Sequence, residues 1–270
     1  MMGELHAFGG EKGGVGKTTY GKVLLQYCID YNIDYKAFDT DRSAPDMKRA
    51  YERGDRVIYE AILSEASEHE NAAKALFEAA LTTTVLVNLS ASSFAPLSAW
   101  IFNNELLDIA KESGVKFYLW FVTDGSIESV TSLYKSLTTF GADIQHIIVK
   151  NLGRNATGDW QLLDEDPNLK KLKEKYQVKE LIFPKFFGNE EFKVVRDNSL
   201  GFREALSDKE LNFGPIERQR VKKFLREAYA ALDASGLLDH LKPKPDPESE
   251  SESNSASVSQ GIEPQSRYSA

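Results

Sequence analysis

Apolar positions along this chain follow two rhythms that take turns. Strand-length apolar runs lie at 5–8, 35–38, 84–89, 115–122, 144–149 and 180–183. The runs at 84–89 (TVLVNL) and 115–122 (VKFYLWFV) are nearly unbroken, which is the pattern of central strands covered on both faces. Between the runs, apolar residues recur at helical spacing. Val23, Leu24, Tyr27 and Cys28 share a face within 20–31. Residues 45–82 read as helical with an interruption at Gly54-Asp55; Tyr59, Ile62 and Leu63 give one apolar face, continued by Ala73, Leu76, Phe77 and Ala80. A single helix is expected over 96–110, closed by Gly114, and another over 127–140, stopped by Gly141. A polar, lysine-rich surface helix is expected over 160–177, with short helices at 190–197 and 201–206. The last helix, 216–238, buries Val221, Phe224, Leu225 and Tyr229. Strand and helix alternate six or seven times over 4–240. This predicts an α/β fold, a doubly wound, mostly parallel sheet with helices on both faces.

The rhythm stops near residue 242. From Pro243 the sequence PKPDPESESESNSASVSQ alternates Pro, Ser and Glu without apolar periodicity, so 242–270 is expected to be a disordered acidic tail after one domain at 1–241. Composition is otherwise that of an ordinary globular protein, 41% hydrophobic and 27% charged. No apolar run approaches the ~18–20 residues of a membrane span. No basic-then-apolar leader opens the chain, and a cytoplasmic location is expected. Cys28 is the only cysteine, which excludes an internal disulfide and argues against a thiolate metal site or an iron–sulfur protein. The net charge of −8 means that any binding to DNA needs a local basic patch.

Chemistry concentrates at 8–19, FGGEKGGVGKTT, between the first strand and the first helix. A glycine-rich turn there lets successive backbone N–H groups converge, and the helix start adds partial positive charge: a phosphate cradle. Gly13, Gly14, Val15 and Gly16 form the turn. Gly16-Lys17-Thr18 closes a P-loop, in which Lys17 reaches the β- and γ-phosphates, the Thr18 hydroxyl joins Mg²⁺, and Thr19 lies near the α-phosphate. The strict pattern asks for glycine where Glu11 stands, and a second lysine, Lys12, precedes the loop.

KGGVGKTT, 12–19, resembles the deviant Walker A signature of the ParA/MinD family of P-loop ATPases. The resemblance implies a P-loop NTPase fold, ATP and Mg²⁺ as cofactors, and an ATP-bound homodimer in which Lys12 reaches the partner's phosphates. It implies that Asp39 of the FDTD segment helps hold the Mg²⁺ shell and that Asp41 orients the attacking water. At the end of the 84–89 strand the family carries an acidic Walker B residue, where this chain has Asn88; the site loses a charge, and slow hydrolysis follows. Asn151 matches an asparagine that reads the adenine edge, and Pro184 a proline packed near the base. Ser199 and Phe202 resemble a late segment leading toward the dimer contact. Arg218, Arg220, Lys222, Lys223 and Arg226 form a basic band on the last helix, matching the nonspecific DNA-binding surface of ParA-like members, for which phosphate contacts suffice. The tail lacks the amphipathic helix of MinD-type members, so no membrane partner is expected. The function implied is an ATPase positioning or partitioning a cargo on DNA with a ParB-like or cargo adaptor, nucleoid-associated if DNA binding holds. The alternative is a nucleotide switch in conjugation or mobilisation with little hydrolysis.

Overall fold

The computed structural model describes residues 3–243, except 65, 67–70 and 72. Most of the expected tail, 244–270, therefore lies outside the described residues. The strands are β1 (Glu4–Gly9), β2 (Tyr35–Asp39), β3 (Ile58–Glu60), β4 (Thr84–Asn88), β5 (Lys116–Thr123), β6 (Gln145–Asn151) and β7 (Lys179–Phe183). They pair in the order β3-β2-β4-β1-β5-β6-β7, every pair parallel. The helices are α1 (Lys17–Asp30), α2 (Asp46–Tyr51), α3 (Lys74–Ala80), α4 (Phe94–Asn103), α5 (Leu106–Ser113), α6 (Ile127–Phe140), α7 (Gln161–Asp164), α8 (Pro167–Lys175), α9 (Asn189–Asp197), α10 (Phe202–Ser207) and α11 (Pro215–Ser235). The doubly wound parallel sheet is as the apolar rhythm predicts.

Alternation along β1 sorts its side chains between two cores. Phe8 joins Tyr20, Val23, Leu24 and Tyr27 of α1 and Phe224 of α11 on one face. Leu5 and Ala7 face Leu76, Trp100 and Ile101 of α3 and α4 on the other. A smaller cluster of Phe121, Leu133, Ile148 and Leu163 seats α6 and α7. The helix α1 lies close over β1 because Gly21 has no side chain: a Cβ there would stand 2.7 Å from the Phe8 ring. β1 is flanked by β4 and β5, so the loop that leaves it emerges at the centre of the sheet's carboxyl edge, where open α/β sheets bind ligands.

Three helical expectations are corrected. Residues 45–82 are not continuously helical: α2 ends at Tyr51, and Ile58–Glu60 is an edge strand pairing with β2. Tyr59 is 43% exposed there rather than on a buried helical face. A three-residue strand is too short for its alternation to compete with a helical reading. The 96–110 helix is two helices, broken at Glu105, which takes a left-handed φ of 50°. The surface helix at 160–177 is likewise split, with Asp166 capping the start of α8 through Leu169 N–H at 2.7 Å. At the far end Lys242 pairs with Asp233 at 2.8 Å.

Candidate functional site

The loop after β1 folds as its glycines require. Gly14 and Gly16 take φ of 78° and 102°, open to glycine at little cost. Gly16 is doubly constrained, since a Cβ would stand 2.3 Å from Asn151 Nδ2. That amide donates to the Val15 carbonyl at 2.7 Å, while Asn151 Oδ1 accepts from Gly153 N–H at 2.9 Å. Both polar atoms of Asn151 thus hold the loop and its neighbour at the end of β6.

A cavity of about 240 Å³ opens over the loop, bordered by Gly13, Gly14, Gly16, Lys17, Thr18, Thr19 and Asp41. Lys17 is buried, and its ammonium donates to the Lys12 carbonyl at 3.0 Å. Burial lowers its pKa, while Glu11 and Asp41 pull it back up. The Thr18 hydroxyl has no hydrogen-bond partner among the described residues. Lys12 turns away from this cavity. Its ammonium meets Asp124 at 2.8 Å and Ser126 at 2.9 Å, in the turn between β5 and α6, with Glu128 at 3.7 Å. Asp124 raises the Lys12 pKa. Burial pushes the Asp124 carboxyl up, but the bonds from Lys12 and Ser126 outweigh it and leave it below its ordinary value. Asp124-Gly125 reads from the sequence as a turn; its position at the carboxyl end of a central strand is what marks it as part of the site.

The ends of β2 and β4 are tied to each other. Asn88 Nδ2 donates to Asp39 Oδ1 at 2.9 Å, and Asp41 N–H adds a contact at 3.2 Å. Asp39 Oδ2 accepts from the N–H groups of Met47 and Lys48 at 3.1 and 3.2 Å, at the start of α2. Burial raises the Asp39 pKa against these four bonds. Four N–H donors thus converge on the two oxygens of Asp39. Asn88 Oδ1 is buried without a partner among the described residues. Asp41 Oδ1 is engaged by Ser43 and Ala44, which holds the residue at the cavity wall. No cluster of three or more His, Cys, Asp or Glu suited to a metal occurs among the described residues. Mg²⁺ fits here as an ion carried by substrate phosphates and waters with the Thr18 hydroxyl, since it normally keeps several waters.

A second cavity of about 280 Å³ adjoins the first beyond Thr19 and Asn151. Pro184, Phe186, Phe192 and Phe224 give it an apolar wall, and Arg154 and Arg196 border both cavities. Phe224 makes ring contacts with Phe183, Phe186 and Phe202 at 5.7, 5.1 and 5.3 Å between centroids, which stiffens this wall.

Of the five residues of the expected basic band, Arg220, Lys222, Lys223 and Arg226 are exposed and Arg218 is not. Arg218 is half-buried, donating to the carbonyls of Phe213 (2.8 Å) and Leu206. Arg220 pairs with Glu191. Lys222, Lys223 and Arg226 are exposed on α11. Lys223 stands over the Phe187 ring and within 3.6 Å of Glu227. Helical spacing placed all five near one another; packing of the 206–213 segment decided that Arg218 is drawn into the fold, and Glu191 of α9 that Arg220 is paired. Ser199 takes a left-handed φ of 51° beside α10, and Phe202 is buried. Among the described residues, no helix is long and apolar enough to cross a membrane.

The seven-strand parallel order, with a glycine-rich two-lysine loop leaving the central strand, makes the fold P-loop NTPase-like. No protein-family model matches the chain. Among curated proteins it is similar to protein TraL of Escherichia coli, 23% identical over 249 residues that span 88% of this chain and 100% of that one. Among solved structures it is similar to the cell division ATPase MinD of Pyrococcus furiosus, with 17% identity over 86% of this chain and 100% of that chain and a TM-score of 0.45. It is also similar to an ATP complex of McdA from Cyanothece, with 13% identity over 85% of this chain and 96% of that chain and a TM-score of 0.41. Likenesses at this level leave the roles of individual residues to the geometry of this chain.

Proposed function

We propose that the chain is an ATP-dependent dimerising ATPase of the positioning or partitioning kind. The observation that carries this reading is Lys12. It belongs to the phosphate loop by sequence, yet it is held outside its own cavity by Asp124 and Ser126. Released from them, its cation is free to meet a nucleotide on a second copy of the chain. A charge delivered in trans makes phosphoryl transfer depend on assembly, as an arginine finger does.

In this reading the N–H groups of Gly13, Gly14 and Gly16 and the Lys17 ammonium receive the phosphates, with Thr19 beside them. Mg²⁺, bound through Thr18 and the phosphates, would supply charge neutralisation there. Asp41 orients the attacking water. The Pro184 side of the second cavity receives the base, and Asn151 acts by positioning the loop. ATP state then sets dimer state, and dimer state sets what is presented to nonspecific DNA and to a ParB-like or cargo adaptor. The second reading, a switch in conjugation or mobilisation with little hydrolysis, is favoured by Asn88, which brings no charge where an acid is expected.

The test is light scattering and phosphate release with ATP and with ADP. ATP is expected to give a dimer and ADP a monomer. Lys12→Ala is expected to keep ATP binding and lose turnover by at least tenfold. Unchanged turnover in that variant would remove the trans role. Dimerisation by ATP without measurable turnover in the unmodified chain would select the switch.

A further inference from the structure

One buried cationic side chain at the phosphate cavity has no role in the reading above. Lys22 lies on α1, one turn after Thr18, and is only 8% exposed. Side chains on a helix lean toward its N-terminus, so a lysine four residues after Thr18 extends back toward that hydroxyl. Lys22 borders the same cavity as Lys17, Thr18 and Asp41. It makes no hydrogen bond and no ion pair among the described residues. Burial lowers its pKa, and Asp46 and Asp39 offset this only in part. A buried ammonium without a partner is unfavourable unless something else supplies the opposing charge.

Nearby carboxylates supply that charge only in part. Asn88 stands where an acid is expected, and both Asp39 oxygens are filled by N–H donors. Asp41 and Asp46 border the cavity, neither within ion-pair distance of Lys22. Lys22 thus adds a buried, unpaired cation to a cavity whose bordering carboxylates, Asp41 and Asp46, do not pair with it.

We propose that Lys22 is a third phosphate-binding lysine of this site, whose ammonium neutralises part of the nucleotide's charge and makes binding less dependent on a divalent cation. The proposal rests on the nucleotide reading above and adds to it a residue and a metal dependence. Lys22 lies off the apolar spacing of Tyr20, Val23, Leu24 and Tyr27 along α1, so the sequence alone gives no signal for its burial.

The test is isothermal titration of the full chain with ATP, in excess Mg²⁺ and in EDTA, alongside melting curves without nucleotide. The unmodified chain is expected to bind ATP in EDTA within about tenfold of its affinity in Mg²⁺. Lys22→Met is expected to lose tenfold or more in EDTA and less in Mg²⁺, while Lys22→Arg retains most of the EDTA affinity. Without nucleotide, Lys22→Met is expected to melt no lower than the unmodified chain, because an unpaired buried charge has been removed. Lys22→Gln gives the same comparison should the methionine variant fold poorly. Equal EDTA affinity for the unmodified chain and both neutral variants would overturn the role of Lys22 and leave the nucleotide reading standing. No ATP binding by the unmodified chain in either buffer would overturn both.

Discussion

At the scale of single residues, the contact between Asn88 and Asp39 explains why an amide serves at the end of β4. An acid at 88 would set two buried carboxylates against each other, 2.9 Å apart in the present geometry, and one of them would have to take up a proton or a counter-ion. The amide instead donates a hydrogen bond and lets Asp39 hold the start of α2. Asn88→Asp is therefore expected to destabilise the chain in EDTA by about 2 kcal/mol, roughly 4–8 °C in Tm. Mg²⁺ together with ATP is expected to recover much of that loss and to raise turnover. A melting temperature in EDTA equal to that of the unmodified chain would show that position 88 does not face Asp39 as described. Lys12 and Lys22 belong to this scale too: each is a lysine whose sequence position says little until its neighbours are known.

At the scale of elements, α11 shows how one helix divides its charge between folding and surface. Arg218 secures the Phe213 and Leu206 carbonyls, and Arg220 meets Glu191 of α9. Replacing either disturbs packing, so neither reports cleanly on DNA. Lys222, Lys223 and Arg226 are the residues to reverse. If α11 contacts DNA, the triple change to Glu is expected to abolish ATP-dependent retention on nonspecific DNA at low salt, with little change in Tm. Phosphate contacts of this kind also make retention in the unmodified chain fall steeply with added salt. Retention that survives the triple change would place any DNA contact elsewhere. The loop–α1 element is the opposite case: Gly21 is required by the close approach of Phe8 from β1 just before the loop, and Gly16 by that of Asn151 from distant β6.

At the scale of the whole molecule, the two ends of the described chain meet beneath the sheet. Glu4 accepts from His6 at 3.1 Å and from His240 at 2.8 Å, and Trp120 Nε1 donates to His6 Nδ1 at 3.1 Å. On the other face His146 is buried between the Ser136 hydroxyl and the Ile144 carbonyl. Burial lowers the pKa of His6, and it lowers that of His146 to about 4. Both folded values lie below the ordinary histidine value, so the unfolded chain binds protons more readily. Their stabilising contribution is complete above about pH 6.5 and declines as pH falls toward the folded values. His146 alone is expected to lose about 2 kcal/mol between pH 7 and pH 5. Melting curves across that range are expected to fall with pH, and more gently in His146→Gln, whose amide can keep both hydrogen bonds. Equal slopes would show that His146 does not carry the effect.

Much of the architecture and the identity of the loop were legible along the chain, because both depend on near neighbours. Strand and helix rhythms come from which face of each local segment is apolar, and a phosphate loop is one contiguous turn whose glycines and lysines are read in order. What the tertiary structure alone decided depends on residues distant in sequence. The pairing of Ile58–Glu60 with β2 made an edge strand of an apparent helix, since three residues gain sheet hydrogen bonds only when a partner is present. The Asn88–Asp39 contact, the hold of Asp124 on Lys12 and the lone burial of Lys22 arise where several strand ends converge, and no periodicity in the sequence encodes which side chains meet there.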